Sequence, residues 1–155
     1  LEPILQKINP KIIWEFGFNV GHSASIWLFL SQAKVFAVDP GSGNVLKAKD
    51  LLIEKFPNRF TFFHKSSQSS EVYEAIVQNQ PNLLLIDGDH SYAGCSSDLK
   101  LAKTVGISNI IVDNLEDSAN ILRAVNDFLE ENKEYKLETT ITILGIQTGY
   151  IIKND

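Results

Sequence analysis

The chain has 155 residues, 44% of them hydrophobic and 21% charged, with a net charge of −5 at neutral pH. That length supports one domain with a real core, and the composition is that of a globular protein rather than a disordered segment. An acidic balance without a Lys/Arg cluster argues against a nucleic-acid or membrane-surface partner, and no apolar run has the length of a membrane span.

Residues 1–10 (LEPILQKINP) have room for one helical turn or a short arm. Residues 11–17 (KIIWEFG) read as a first strand and residues 22–32 as a helix. Residues 34–39 (KVFAVD) form a second strand. The helix expected over 44–56 carries Val45, Leu46, Leu52, Ile53 and Phe56 on one side. Strand three spans 59–64, the next helix 70–78, and strand four 82–87. A helix over 94–105 carries Cys95, the single cysteine, and Asp98, read as structural. A lone cysteine forms no internal disulfide and suits a reducing compartment, so a cytoplasmic location is expected. Strand five spans 108–113 (SNIIVD). The helix over 118–132 places Ile121, Leu122, Val125, Phe128 and Leu129 at helical spacing. Residues 135–144 and 148–153 are then two strands too close for an intervening helix, and they predict an antiparallel hairpin. Methionine is absent throughout, position 1 included, which reads as a chain trimmed at its start.

Five strand–helix units predict an α/β fold, a parallel sheet with helices on both faces, because crossovers are right-handed. Ligands of such sheets bind at the carboxyl ends of the strands. Three strand ends carry chemistry. The first runs into EFGFNVG, where Gly17 and Gly21 allow a tight turn and a close backbone approach. Asn19 stands where the dinucleotide fingerprint needs its second glycine, which disfavours a nicotinamide-dependent oxidoreductase. Asp39 ends the second strand, where a carboxylate accepts both hydroxyls of a ribose or opens a turn before Pro40 and Gly41. The fourth ends in Asp87, Gly88, Asp89 and His90, and the fifth in Asp113 and Asn114.

With these residues in this order, the chain resembles the class I S-adenosylmethionine-dependent methyltransferases. The segments EFGFNVG, AVDP and LLLIDGDHSY carry the resemblance along nearly the whole chain, and IDGDHSY points to the small-molecule and sugar O-methyltransferase branch. It implies one domain over residues 1–155. It also implies a Rossmann-like, doubly wound sheet of seven strands in a three-layer sandwich, ordered 3-2-1-4-5-7-6 with strand 7 antiparallel.

The implied cofactor is S-adenosyl-L-methionine. Glu15, Gly17 and Gly21 would shape its methionine pocket, Asp39 would hold the ribose, Ser66 and Ser67 would meet adenine, and Asp87 would lie beside it. The match at Ser66 and Ser67 is loose, because the family often has an acidic residue there and HKSSQ has none. Asp87, Asp113 and Asn114 are hard oxygen donors on neighbouring strands and suit Mg2+, unless the Asp-Asn pair only starts a turn. Asp89 and His90 are the candidate bases for methyl transfer to a hydroxyl. The short segment before the first strand implies either a chain trimmed at its start or an open acceptor site. An open site suits a large acceptor such as a glycan, or a partner subunit completing the pocket as a homo-oligomer; a small-molecule acceptor is the other expectation. The reading from another class is a cofactor-binding domain of this fold without turnover.

Overall fold

Alternation along the first strand divides the molecule into two cores. In chain order the elements are α1 (Glu2–Ile8), β1 (Ile12–Phe16), α2 (His22–Leu30), β2 (Lys34–Val38), α3 (Asn44–Lys55), β3 (Phe60–Phe63) and α4 (Ser70–Gln78). They continue with β4 (Leu83–Ile86), α5 (Tyr92–Val105), β5 (Asn109–Val112), α6 (Ala119–Glu131), β6 (Tyr135–Ile143) and β7 (Ile146–Lys153). The structure, a computed structural model, describes residues 2–115, 118–143 and 146–154. Successive β1 side chains point to opposite faces. Ile13 joins a core with α1, α2 and α3, whereas Trp14 and Phe16 join one with α4, α5 and α6.

The sheet order is β3-β2-β1-β4-β5-β7-β6, as expected. β1 to β5 run parallel, and β7 lies antiparallel to both β5 and β6. Helices cover both faces, so the central strands are apolar without alternation except at Glu15 of β1, and all four residues of β4 are buried. Aromatic stacking ties the first three strands together. The Trp14 ring stacks on Phe36 at 4.9 Å and on Phe63 at 5.5 Å, and its indole N–H donates to the Asn79 carbonyl at 2.8 Å.

Several local expectations need correction. The N-terminal segment is a seven-residue helix rather than one turn, because Ile4 and Leu5 find apolar partners beneath it. α5 begins at Tyr92, two residues earlier than expected, because the Ser91 hydroxyl caps it by accepting from the Gly94 N–H. Ile53 and Leu122 are exposed, since each sits at the margin of its helix's apolar stripe. β7 starts at Ile146 rather than Thr148, and Leu144, the expected end of the preceding strand, lies outside the described residues.

Strand order reverses at β1, which has β2 on one side and β4 on the other. The crevice expected at such a switch point opens where β1 and β4 end. Gly17 leaves β1 with φ +93°, a conformation that L side chains rarely adopt. A Cβ built there would lie 2.0 Å from the Asp87 carbonyl oxygen. Gly17→Ala therefore combines left-handed strain with a backbone collision. Its urea unfolding midpoint should fall by the equivalent of at least about 2 kcal/mol. An unchanged midpoint would mean that the ends of β1 and β4 do not meet in this way.

Candidate active site

The loop that follows Gly17 is held from below by one carboxylate. Asp39 Oδ2 accepts from the backbone N–H groups of Phe18 at 2.9 Å and Asn19 at 2.8 Å, while Oδ1 accepts from Gly41 at 2.6 Å. Asn19 takes a left-handed φ of 49°, which asparagine tolerates better than most residues. A carboxylate offers about four acceptor positions, so roughly one remains for a ligand.

A cavity of about 580 Å³ lies above this loop at the carboxyl ends of β1, β2 and β4. Gly17, Asp39, Ser66, Ser67, Asp87, Asp89 and His90 line it, so seven of the expected site residues meet there. Phe16, Asn19, Val38, Pro40 and Gly88 line it as well. Of these, Asn19 and Pro40 were legible only as loop residues beside the motifs, and Phe16 and Val38 only as strand residues. Asp39, Asp87 and Asp89 make the lining acidic, and neither Lys nor Arg contributes among the described residues.

Two expected residues stand behind the wall instead of in it. Gly21 is buried with φ +75°, and a Cβ there would strike the Phe18 ring at 2.7 Å. Its glycine thus serves the packing of Phe18 at the start of α2. Glu15 is completely buried on the face of β1 toward α2. Its Oε2 accepts from the Trp27 indole at 3.0 Å, and its Oε1 has no partner at hydrogen-bonding geometry among the described residues, although the Ser23 hydroxyl is near. Burial pushes its pKa up to about 8, with the charges of Asp87 and Asp39 adding to the effect.

The end of β4 holds the densest chemistry. Burial, and then the nearby negative charge of Asp113, raise Asp87 to about 6. The His90 ring nitrogen Nε2 lies 3.4 Å from Asp87 Oδ1. Asp89 faces a different task. Its Oδ1 accepts from the Ser91 N–H at 2.9 Å, which holds its pKa below the ordinary carboxylate value. Its side chain lies so close over the start of α5 that a Cβ on Gly94 would meet Asp89 Cγ at 2.4 Å.

Asp113 and Asn114 lie outside the cavity lining, on the β5 side of Asp87. Asp113 Oδ1 accepts the Thr148 hydroxyl of β7, and Asn114 turns the chain with φ 57°. Among the described residues, no three of His, Cys, Asp and Glu come together to hold a metal ion. An oxygen set for a cation would consist of Asp87, Asp113 and the Asn114 amide. The charge of Asp113 acts on Asp87, and Asp113 Oδ1 is at the same time engaged by the Thr148 hydroxyl.

No protein-family model matches the chain. No curated protein matches it either. Solved structures do share its fold. The O-methyltransferase TomG from Streptomyces achromogenes, in complex with SAM, superposes with a TM-score of 0.75 at 11% identity, over 99% of this chain and 78% of that one. An O-methyltransferase from Bacillus cereus, in complex with SAH, gives 0.70 at 17% identity over 98% and 78%. The 1,6-didemethyltoxoflavin-N1-methyltransferase from Burkholderia thailandensis, with its substrate and S-adenosylhomocysteine bound, gives 0.70 at 11% over 99% and 76%. The chain thus has the Rossmann-like fold found in these methyltransferases. Among its described residues, no helix is long and apolar enough to cross a membrane.

Glu15 makes stability depend on pH. Unfolded, it ionises near its ordinary 4.5, whereas folded it keeps its proton to about 8. The folded state therefore binds the extra proton in that window, and its advantage is lost as pH rises through it. Glu15→Gln should be more stable than the wild type at pH 8 relative to pH 5, by on the order of 4 kcal/mol in denaturant unfolding. Parallel stability curves for the two proteins would show that Glu15 is not buried as a neutral acid.

Proposed function

We propose that the chain is an S-adenosyl-L-methionine-dependent methyltransferase acting on a hydroxyl of a small molecule or glycan, with a divalent cation assisting. The carrying observation is the acid-lined cavity at the switch point, which contains no Lys or Arg among the described residues. Three aspartates attract a sulfonium cation and repel the pyrophosphate of a dinucleotide. A nicotinamide cofactor is disfavoured on the same ground. Binding of SAM or SAH by proteins of this fold supports the reading.

In this reading Gly17 lets the cofactor approach the backbone, and Asp39 accepts from a ribose hydroxyl through its remaining acceptor position. Ser66 and Ser67 meet the adenine. When bound, S-adenosyl-L-methionine would supply the methyl group; Asp87, Asp113 and Asn114 would hold Mg2+, which would lower the pKa of the acceptor hydroxyl. His90 takes the proton of that hydroxyl on Nε2 or Nδ1, and Asp87 steadies the resulting imidazolium. His90 suits the part better than Asp89, whose carboxylate is occupied at the start of α5 and held below its ordinary pKa. The buried lone thiol, raised to about 12, is inert and fits a cytoplasmic setting.

Calorimetry with S-adenosyl-L-methionine tests the cofactor directly. Asp39→Ala should weaken binding by roughly 1.5–3 kcal/mol, and it should also lower the melting temperature, because the N–H groups of Phe18, Asn19 and Gly41 lose their acceptor. Full affinity in that variant would remove the ribose assignment. Methyl transfer should fall about 100-fold or more in His90→Gln, the usual worth of a general base. It should also fall on chelation of divalent ions. Activity that survives chelation would leave His90 as a metal-free base and reduce the Asp113–Asn114 pair to a turn.

A further inference from the structure

Behind the cavity wall, a second carboxylate is buried where an apolar side chain would pack more simply. Asp98 is only 2% exposed and lies in the stripe of α5 formed by Gly94, Cys95, Leu99 and Ala102. Its Oδ1 accepts the Ser67 hydroxyl at 2.7 Å. Ser67 itself lines the cavity, so its oxygen stands between the ligand space and Asp98.

A buried carboxylate is rarely the most stabilising choice for such a place. It has one property an apolar residue lacks, because an ionised carboxylate only accepts hydrogen bonds. Burial raises Asp98 to about 6, which leaves it ionised near pH 8. The single proton of Ser67 is then committed to Asp98. What Ser67 offers the cavity is lone pairs alone. Its neighbour differs, since Ser66 Oγ accepts from the Gln68 N–H at 3.3 Å.

We propose that Asp98 is a positioning residue that fixes Ser67 as a hydrogen-bond acceptor, so that the site selects a 6-amino purine over a 6-oxo purine. An exocyclic amino group donates into the Ser67 lone pairs. A 6-oxo group there would face them with lone pairs of its own, leaving two acceptors unpaired and repelling. The inference rests on the cofactor reading above and adds its base specificity. It also accounts for the missing acidic residue in HKSSQ: the carboxylate comes from α5 and acts through a serine.

The test is calorimetry at pH 8 with S-adenosyl-L-homocysteine and its inosine counterpart. The wild type should prefer the adenine ligand by about tenfold or more, the equivalent of one hydrogen bond lost and one repulsion gained. Ser67→Ala and Asp98→Leu should each reduce the preference to about threefold or less. The double variant should match Ser67→Ala alone, because Asp98 acts through Ser67. Asp98→Ala reads the same ratio should leucine overpack the helix interface. A ratio that survives in the Asp98 variants, or a general loss of affinity with the ratio kept, overturns the inference and leaves the cofactor reading standing. A wild type that binds neither ligand overturns both.

Discussion

Everything at this site hangs on a backbone contact that only glycine allows. Where β1 ends, Gly17 presses its Cα face against the carbonyl of Asp87, leaving no space for a side chain. The contact holds the ends of β1 and β4 together and turns the next residues over the strand ends. Asp39 then fixes the turn by gathering the N–H groups of Phe18 and Asn19. Phe18, directed inward by that turn, packs against Phe60 and Phe62 and needs the space that Gly21 leaves. A loop with few options for movement results, and a cavity with a preformed floor lies above it.

The acidic groups around this floor are handled in three ways. Glu15 is fully buried with one indole donor, so it folds as a neutral acid. Asp98 keeps its charge through a serine hydroxyl and stays behind the wall. Asp87 is half-buried beside Asp113, with a histidine at its edge. Of these three, only Asp87 faces the ligand space, which Asp39 and Asp89 border as well. Chemistry that involves a cation, whether a metal ion, an imidazolium or a sulfonium, relieves the charge there, and this asymmetry separates Asp87 from the two buried acids.

The sequence was most legible where a pattern repeats. Apolar strands alternating with amphipathic helices gave the parallel sheet, and the spacing of the last two strands gave the antiparallel pair. Positions that depend on tertiary contact were harder to see. The helix at Glu2–Ile8 forms because Ile4 and Leu5 are covered by the sheet's apolar face, which ten residues read alone do not reveal. Asp89 looked equivalent to His90 as a base, since both follow Asp87. Its commitment to the Ser91 N–H follows from where α5 starts, two residues before the helix that the sequence predicts. Asp98 did leave a trace, as a carboxylate inside the apolar stripe of its helix. Its partner Ser67 is 31 residues away, so no local pattern could join them.

Proteins of this fold methylate both oxygen and nitrogen acceptors, as TomG and the toxoflavin enzyme illustrate by name. On the proposed function, the part shared with them is the part that would meet the methyl donor, and an acidic cavity would suit a sulfonium. At an effective dielectric constant of about 20, one carboxylate at about 5 Å contributes roughly 3 kcal/mol to a unit positive charge before desolvation. Asp39, Asp87 and Asp89 all border the same cavity, with no Lys or Arg opposing them among the described residues. A neutral product left after loss of the methyl group would forfeit that attraction. On the proposed function, the same field that would draw a charged donor in would hold its neutral product less tightly.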